Sequence, residues 1–279
     1  MSELAELYPQ AFLTGASAGL GRAFAERLLA EGVRVWGTAR DAGRLTELAS
    51  RFPALFTPVV LDLGDPDAGE LAFQRAAKSA GGAFDLLINN AGYGVFCGFD
   101  SADFSVWERQ LATMLATTLR LSHTALRGMR GRNRGCIVNV SSLAVEFPLP
   151  FMTGYNVAKA GLSAFSESLI VETRDTGIRV IDFRPGDFRT DFNQAMQSVS
   201  PVSSAPDTPA ARAWCALEKN MSTAPLPARA AADLHRALLR RRSGTVRSGS
   251  FFQARVASYC SRLLPAGIRR RIAASYFGL

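Results

Sequence analysis

From about residue 10 onward, short apolar runs alternate with longer stretches in which apolar residues recur at helical spacing. "QAFLTG" reads as a strand. It leads into "LGRAFAERLLAEG", where Leu20, Phe24, Leu28 and Leu29 share a face and Gly32 marks the stop. The alternation continues with the strand "VRVWGTAR", the helix "RLTELASRF", the strand "FTPVVLDL", the helix "ELAFQRAAKSAG" and the strand "FDLLINNAG". A long helical region, Phe104 to Met129, precedes the strand "GCIVNVSS", a helix around Tyr155 to Thr173 and the strand "IRVIDFRPG". Strands separated by helices of this length need right-handed crossovers, so the pattern predicts an α/β fold: a Rossmann-like, doubly wound parallel sheet flanked by helices. The turn-rich "SVSPVSSAPDTP" (198–209) stands apart as a lid or binding loop. The expected organisation is one domain over 1–250, with a substrate loop at about 191–228, and a basic, amphipathic helical extension over 251–279.

Composition narrows the function. A chain of 279 residues with 48% hydrophobic content can bury one substantial core. Cys97, Cys136, Cys215 and Cys260 are scattered, and only His123 and His235 could join them, so neither a disulfide framework nor a metal site is indicated. Both histidines read as ordinary helical residues. The start, "MSELAELYPQ", lacks a basic n-region followed by an apolar stretch, and no run approaches the roughly 18 apolar residues of a membrane span. The expectation is a cytoplasmic protein. The net charge of +8 suggests nucleic acid until it is located. From Arg229 onward there are eleven arginines against a single acid, Asp233, so the preceding residues carry a small negative charge. An evenly basic nucleic-acid-binding domain is therefore not expected; a local anionic partner for the tail is.

Candidate chemistry lies where strands end. "TGASAGLG" sits between the first strand and first helix, and Gly15, Ser17, Gly19, Leu20 and Gly21 make a turn that lets backbone approach a phosphate at a helix N-terminus. Its G-x-x-x-G-x-G spacing differs from the commoner G-x-G-x-x-G, and a tight packing turn is the plain alternative. About twenty residues on, an acid would hold a ribose 2′-hydroxyl, whereas an arginine accommodates a 2′-phosphate. Arg40 stands there, favouring NADP(H) over NAD(H), although Asp41 follows at once. Asp62 and Leu63 in "LDL", then Asn90, Ala91 and Gly92 in "NNAG", end later strands, where such folds bind ligands. In "YNVAK", Tyr155 and Lys159 are four apart and share a helical face. A free phenol, with a pKa of about 10, is a poor acid at neutral pH, and a fixed cation nearby would lower that value.

With "TGASAGLG", "NNAG", "IVNVSS", "YNVAK" and "RPGDFRT" in the same order and at the usual separations, the chain resembles the short-chain dehydrogenase/reductase family over about residues 8 to 192. The resemblance implies that Tyr155 is the general acid or base toward a substrate oxygen as hydride moves to or from a nicotinamide. It implies that Lys159 binds the nicotinamide ribose and lowers the phenol pKa. Ser142, thirteen residues before Tyr155, would hold the substrate oxygen, with Ser141 as the near alternative. Gly186, Phe188 and Thr190 match the segment whose backbone and hydroxyl meet the carboxamide and phosphates. It further implies a homo-oligomer.

One position departs from that pattern. The asparagine that usually shapes an irregularity in the helix after "NNAG" and supports a proton path to the lysine is replaced by Met114. A thioether cannot replace an amide's hydrogen bonds. Two readings follow: an NADP(H)-dependent oxidoreductase, or a catalytically weak NADP-binding regulator or scaffold. The stretches "LAVEFPLPFMTG" and "YGVFCGF", with Phe188, Phe192 and Met196, suggest a small-molecule apolar substrate such as a sterol, quinone or acyl ketone. In the tail, Phe252, Val256, Tyr259 and Leu263 share a helical face, with Arg255 and Arg262 away from it. Such a helix can lie peripherally on an anionic membrane, or pack on its own domain or twin. "RRRSG" (240–244) reads as a solvated helix end.

Overall fold

Seven strands form one sheet in the order β3-β2-β1-β4-β5-β6-β7, every neighbouring pair parallel. They are β1 (Gln10–Leu13), β2 (Arg34–Ala39), β3 (Phe56–Val60), β4 (Leu86–Asn89), β5 (Gly135–Val140), β6 (Ile178–Pro185) and β7 (Gly244–Ser248). The computed structural model describes residues 2–199, 208–257 and 264–279, with side chains at 197–199, 256 and 257 outside the description. Both faces of the sheet are covered, which is why β4 and β5 are buried at every position and read as unbroken apolar runs. Successive residues of β1 enter opposite cores, as the strand's period of two requires. Leu13 joins Phe24, Leu28, Leu45, Leu48, Leu234 and Leu238 on one side. Phe12 joins Trp36, Phe73, Phe84, Leu121 and Met129 on the other.

The first core is closed by α1 (Glu3–Leu7), α2 (Gly19–Ala30), α3 (Gly43–Arg51) and α10 (Pro227–Leu239). Against the second lie α4 (Pro66–Ser79) and α6 (Thr117–Arg132). The remaining helices are α5 (Phe104–Leu111), α7 (Thr153–Glu172), α8 (Phe192–Val199), α9 (Pro209–Thr223) and α11 (Ala266–Tyr276). After β1 the chain builds outward to β3 and then returns to place β4 beside β1. The topological switch therefore falls between β1 and β4, and the strands' carboxyl ends there define the cleft. A third apolar cluster, with Phe96, Met152, Met196, Trp214, Leu217 and Phe277, is gathered from loops and C-terminal elements.

Several expectations change. The helix expected over Phe104–Met129 is interrupted by a wide turn at Ala112–Ala116 and runs on to Arg132. The third strand stops at Val60; Pro58 fits there because β3 is an edge strand and needs fewer ladder donors. The stretch taken as a substrate loop, about 191–228, is largely the helices α8 and α9; its turn-rich centre, 200–207, lies outside the described residues. "RRRSG" ends α10 and turns through Arg241 at φ 52° straight into β7, a strand too short and polar to be read from periodicity. The tail is not one helix: an irregular turn at Phe252–Ala257 and α11 are its described parts, while Tyr259, Arg262 and Leu263 lie outside them.

Candidate active site

The glycine turn is fixed by backbone contacts. The Gly15 N–H donates to Thr38 Oγ1 at 3.1 Å, and Thr14 Oγ1 accepts from the Asn90 and Ala91 amides at 2.9 and 3.0 Å. Gly15 and Gly19 adopt φ of 71° and 52°, a region side-chain-bearing residues avoid. At Gly21 a Cβ would overlap the Gly15 carbonyl. The N-terminus of α2, beginning at Ala18, carries no side-chain cap, so its first amides stay available to an anion. Ser17 and Leu20 are part-exposed at this turn. Thr190 lies across it, 3.5 Å from where a Gly19 Cβ would stand. Arg40 is exposed at the end of β2, while Asp41 is occupied locally, accepting from the Gly43 amide at 2.8 Å. The open amides of this turn fit the phosphates of a dinucleotide.

Other candidates serve the scaffold. Asp62 is held by Arg109 Nη2 at 2.6 Å and the Gly64 amide at 2.9 Å, and the Leu63 carbonyl accepts from Thr117 at 2.7 Å. The Asn90 side chain donates to the Thr14 and Gly15 carbonyls at 3.0 and 3.3 Å, bracing the turn. Phe188 buries its ring with the first core, leaving only backbone for the cleft.

Ser142, Tyr155 and Lys159 come together at the carboxyl end of β5. Ser142 directly follows Ser141, whose hydroxyl donates to Asp182; Ser141 is thereby a scaffold residue, and Ser142 is the one hydrogen-bonded to Tyr155. Lys159 is buried, donates to the Val140 carbonyl at 2.6 Å and lies 5.7 Å from the Tyr155 ring centre. The Tyr155 ring meets Phe192 edge-on at 5.9 Å and packs against the third apolar cluster. Burial pushes the Tyr155 phenol up to about 12, opposed by the Ser142 hydrogen bond and reinforced by the Asp187 charge. Burial also brings Lys159 down to about 8, opposed by the Asp182 charge. The expected lowering of the phenol pKa by the lysine is therefore not what this geometry gives. Burial dominates at the phenol, and the ammonium donates to the Val140 carbonyl.

Around Lys159, a Cβ on Gly92 would lie 3.4 Å from Met114 Cε and 3.6 Å from Lys159 Nζ. Met114 and Lys159 thus both border Gly92. The wide turn at Ala112–Ala116 persists around Met114, with the Thr113 hydroxyl donating to the Arg109 carbonyl at 2.8 Å, so the irregularity forms without the expected asparagine.

Sequence reasoning passed over two features. The first is a buried ionic lattice: Asp182 accepts from Ser163 and Arg184, each at 2.8 Å, and Arg184 reaches Glu146 at 2.8 Å, as Arg247 does. It clamps the loop four residues beyond Ser142. Its signal was present, since Asp182 and Arg184 share one strand face with the apolar Ile178 and Val180. The second is the cover from the C-terminus. Gln253 donates to Asp187 at 2.6 Å, Phe277 is buried in the third cluster, and the Gly278 carbonyl accepts from Arg212 at 2.8 Å. Burial raises the Asp187 carboxyl above the usual range, opposed by the Gln253 hydrogen bond. Nothing local in sequence announces these contacts.

Comparison with known proteins agrees with this geometry. The family described as short chain dehydrogenase matches residues 9–200. A protein of Haemophilus influenzae named "Probable NADP-dependent dehydrogenase" is 34% identical over 179 residues, 63% of this chain and 70% of that one. The 3-oxoacyl-acyl-carrier-protein reductase FabG of Escherichia coli is 31% identical over 202 residues, 72% of this chain and 82% of the reductase. A short-chain dehydrogenase from Streptomyces avermitilis superposes with a TM-score of 0.80 at 28% identity, covering 98% of this chain and 96% of that one. With the family matched across most of its length and its sheet in the same form, the chain belongs to the short chain dehydrogenase family of oxidoreductases.

Proposed function

We propose that the protein is an NADP(H)-dependent oxidoreductase interconverting a lipophilic carbonyl compound and its secondary alcohol. The observation that carries this reading is the convergence of Ser142, Tyr155 and Lys159 at one strand end, with the Tyr155 ring against an apolar cluster. A bound nicotinamide would supply or accept the hydride. Ser142 would donate to the substrate oxygen and hold it beside the phenol, and Tyr155 would pass its proton to that oxygen during reduction. Lys159 would hold ribose hydroxyls, which gives the ammonium a second partner beyond Val140. Met152, Phe192, Met196 and Phe277 would admit an apolar body and exclude water. For the 2′-phosphate, Arg40 is exposed while Asp41 is engaged, and the Haemophilus influenzae relative carries NADP in its name. Exposed Phe104, Val157 and Val171 on α5 and α7 suit a homo-oligomer.

A regulator or scaffold is the second reading, favoured by Met114 at the place where an amide would carry protons toward Lys159. Incubation with NADPH or NADH and a panel of sterol, quinone and acyl ketones separates the two. Turnover with NADPH that is lost in Tyr155→Phe supports the oxidoreductase; tight nucleotide binding without turnover across the panel supports the regulator. Preference for NADH would remove Arg40 from its proposed role.

A further inference from the structure

Residues 251–279 are about a tenth of the chain, yet they hold nearly half of the large apolar side chains exposed among the described residues. Phe251, Phe252, Ile268, Ile272, Tyr276 and Leu279 are 45–71% exposed. The same segment contains five arginines and no aspartate or glutamate. On α11, at 100° per residue, Ile268 and Ile272 stand on one face, flanked by Arg269 and Arg271, with Tyr276 at the edge of that face toward Gln253; exposed Leu279 follows the helix. Just past the helix, Phe277 is buried with Trp214 and Met152, and Arg212 holds the Gly278 carbonyl at 2.8 Å. The helix is therefore anchored through the residues that follow it, none of its own residues is buried, and Ile268 and Ile272, flanked by arginine, stay exposed. A helix docked only for packing would be turned the other way.

We propose that this outward face of α11 docks the protein on the surface of an anionic lipid bilayer. Arginines flanking a shallow apolar stripe suit acyl chains below and anionic headgroups at the sides. The alternative occupant, a second copy of the chain, fits less well. A two-fold contact sets the same patch against itself, so these arginines would face one another, and the segment offers no acid to pair with them. No described helix is long and apolar enough to cross a membrane, so the contact is peripheral. Tyr276 hydrogen-bonds Gln253, which holds Asp187 next to Tyr155, so the docking face borders the cleft. The proposal does not depend on hydride transfer, because vesicle binding is read without turnover.

The test uses the full chain in co-sedimentation with vesicles of phosphatidylcholine alone or mixed with phosphatidylglycerol. Binding is expected to the mixed vesicles, weakening as salt rises. Arg269→Gln with Arg271→Gln should reduce it on the order of tenfold or more, and Ile268→Ser with Ile272→Ser should reduce it comparably, while each variant keeps the parent circular dichroism and thermal midpoint. Equal binding to both vesicle types, or no binding to either, overturns the proposal. So does concentration-dependent dimerisation lost in the serine variant without vesicle binding in the parent, which would assign the stripe to a second copy.

Discussion

The two walls of the cleft are made differently. The wall formed by the carboxyl ends of β1, β4, β5 and β6 is held by backbone turns, buried strands and the Asp182–Arg184–Glu146 lattice. The facing wall, formed by Asp187, Gln253, Tyr276 and Phe277, is held by a few side chains from segments far apart in the chain. Strand ends can place reacting groups to a fraction of an ångström because their positions follow from the sheet. A cover assembled from side chains can instead change its shape, and with it the substrate, without disturbing the chemistry. Chemistry would thus reside in the first wall and selection in the second.

Four substitutions sharpen or break that contrast. The largest effect is expected for Arg184→Met, which leaves Asp182 and Glu146 with a lost partner in a dry interior; removing one member of a buried pair costs ~3–5 kcal/mol, read as a lower urea midpoint. A loss under about 1 kcal/mol would mean the lattice does not clamp this wall. Next, Phe277→Ala removes a buried ring from the cover, so KM for bulky apolar substrates should rise roughly tenfold with kcat for small ketones little changed. An equal fall in kcat for all substrates would move Phe277 into the reacting wall.

A smaller effect is expected at Asp187. Burial raises the Tyr155 phenol and the Asp187 charge adds to it, so Asp187→Asn should lower the phenol pKa by up to about one unit, read by ultraviolet titration against the Tyr155→Phe variant. The Asp187 carboxyl is raised in the folded state, so it binds more protons folded than unfolded, and the parent loses stability as pH rises through that interval. The asparagine variant should lack that loss. The smallest change is expected for Met114→Asn. An amide at this position should raise kcat a few-fold without altering KM, because the wide turn already exists with methionine in place. An unchanged kcat would leave Met114 as packing alone.

The same contrast governs what could be read from sequence. The glycine turn, the strand-end asparagine and the Tyr155–Lys159 pair were legible because each is a local pattern, and helix periodicity alone brings the phenol and ammonium onto one face. The parallel, doubly wound character of the sheet followed from the alternation of elements. Met114 was visible as a departure, but not that the wide turn would form without the asparagine. Spacing reports which charges are near Tyr155 and not how much water burial removes from it. Gln253 and Phe277 were invisible, since their meeting with Asp187 and Met152 is tertiary. β7 was missed because four half-buried residues and a buried serine after three arginines carry no period.

The central claim is that hydride reaches a substrate carbon while Tyr155 supplies the proton. NADPH deuterated at nicotinamide C4, incubated with an apolar ketone the protein accepts, tests it directly. Deuterium on the carbinol carbon of the product is expected with the parent, together with a rate at least ~100-fold lower in Tyr155→Phe at similar nucleotide affinity. Alcohol formed without the label, or formed equally fast by the phenylalanine variant, would contradict it.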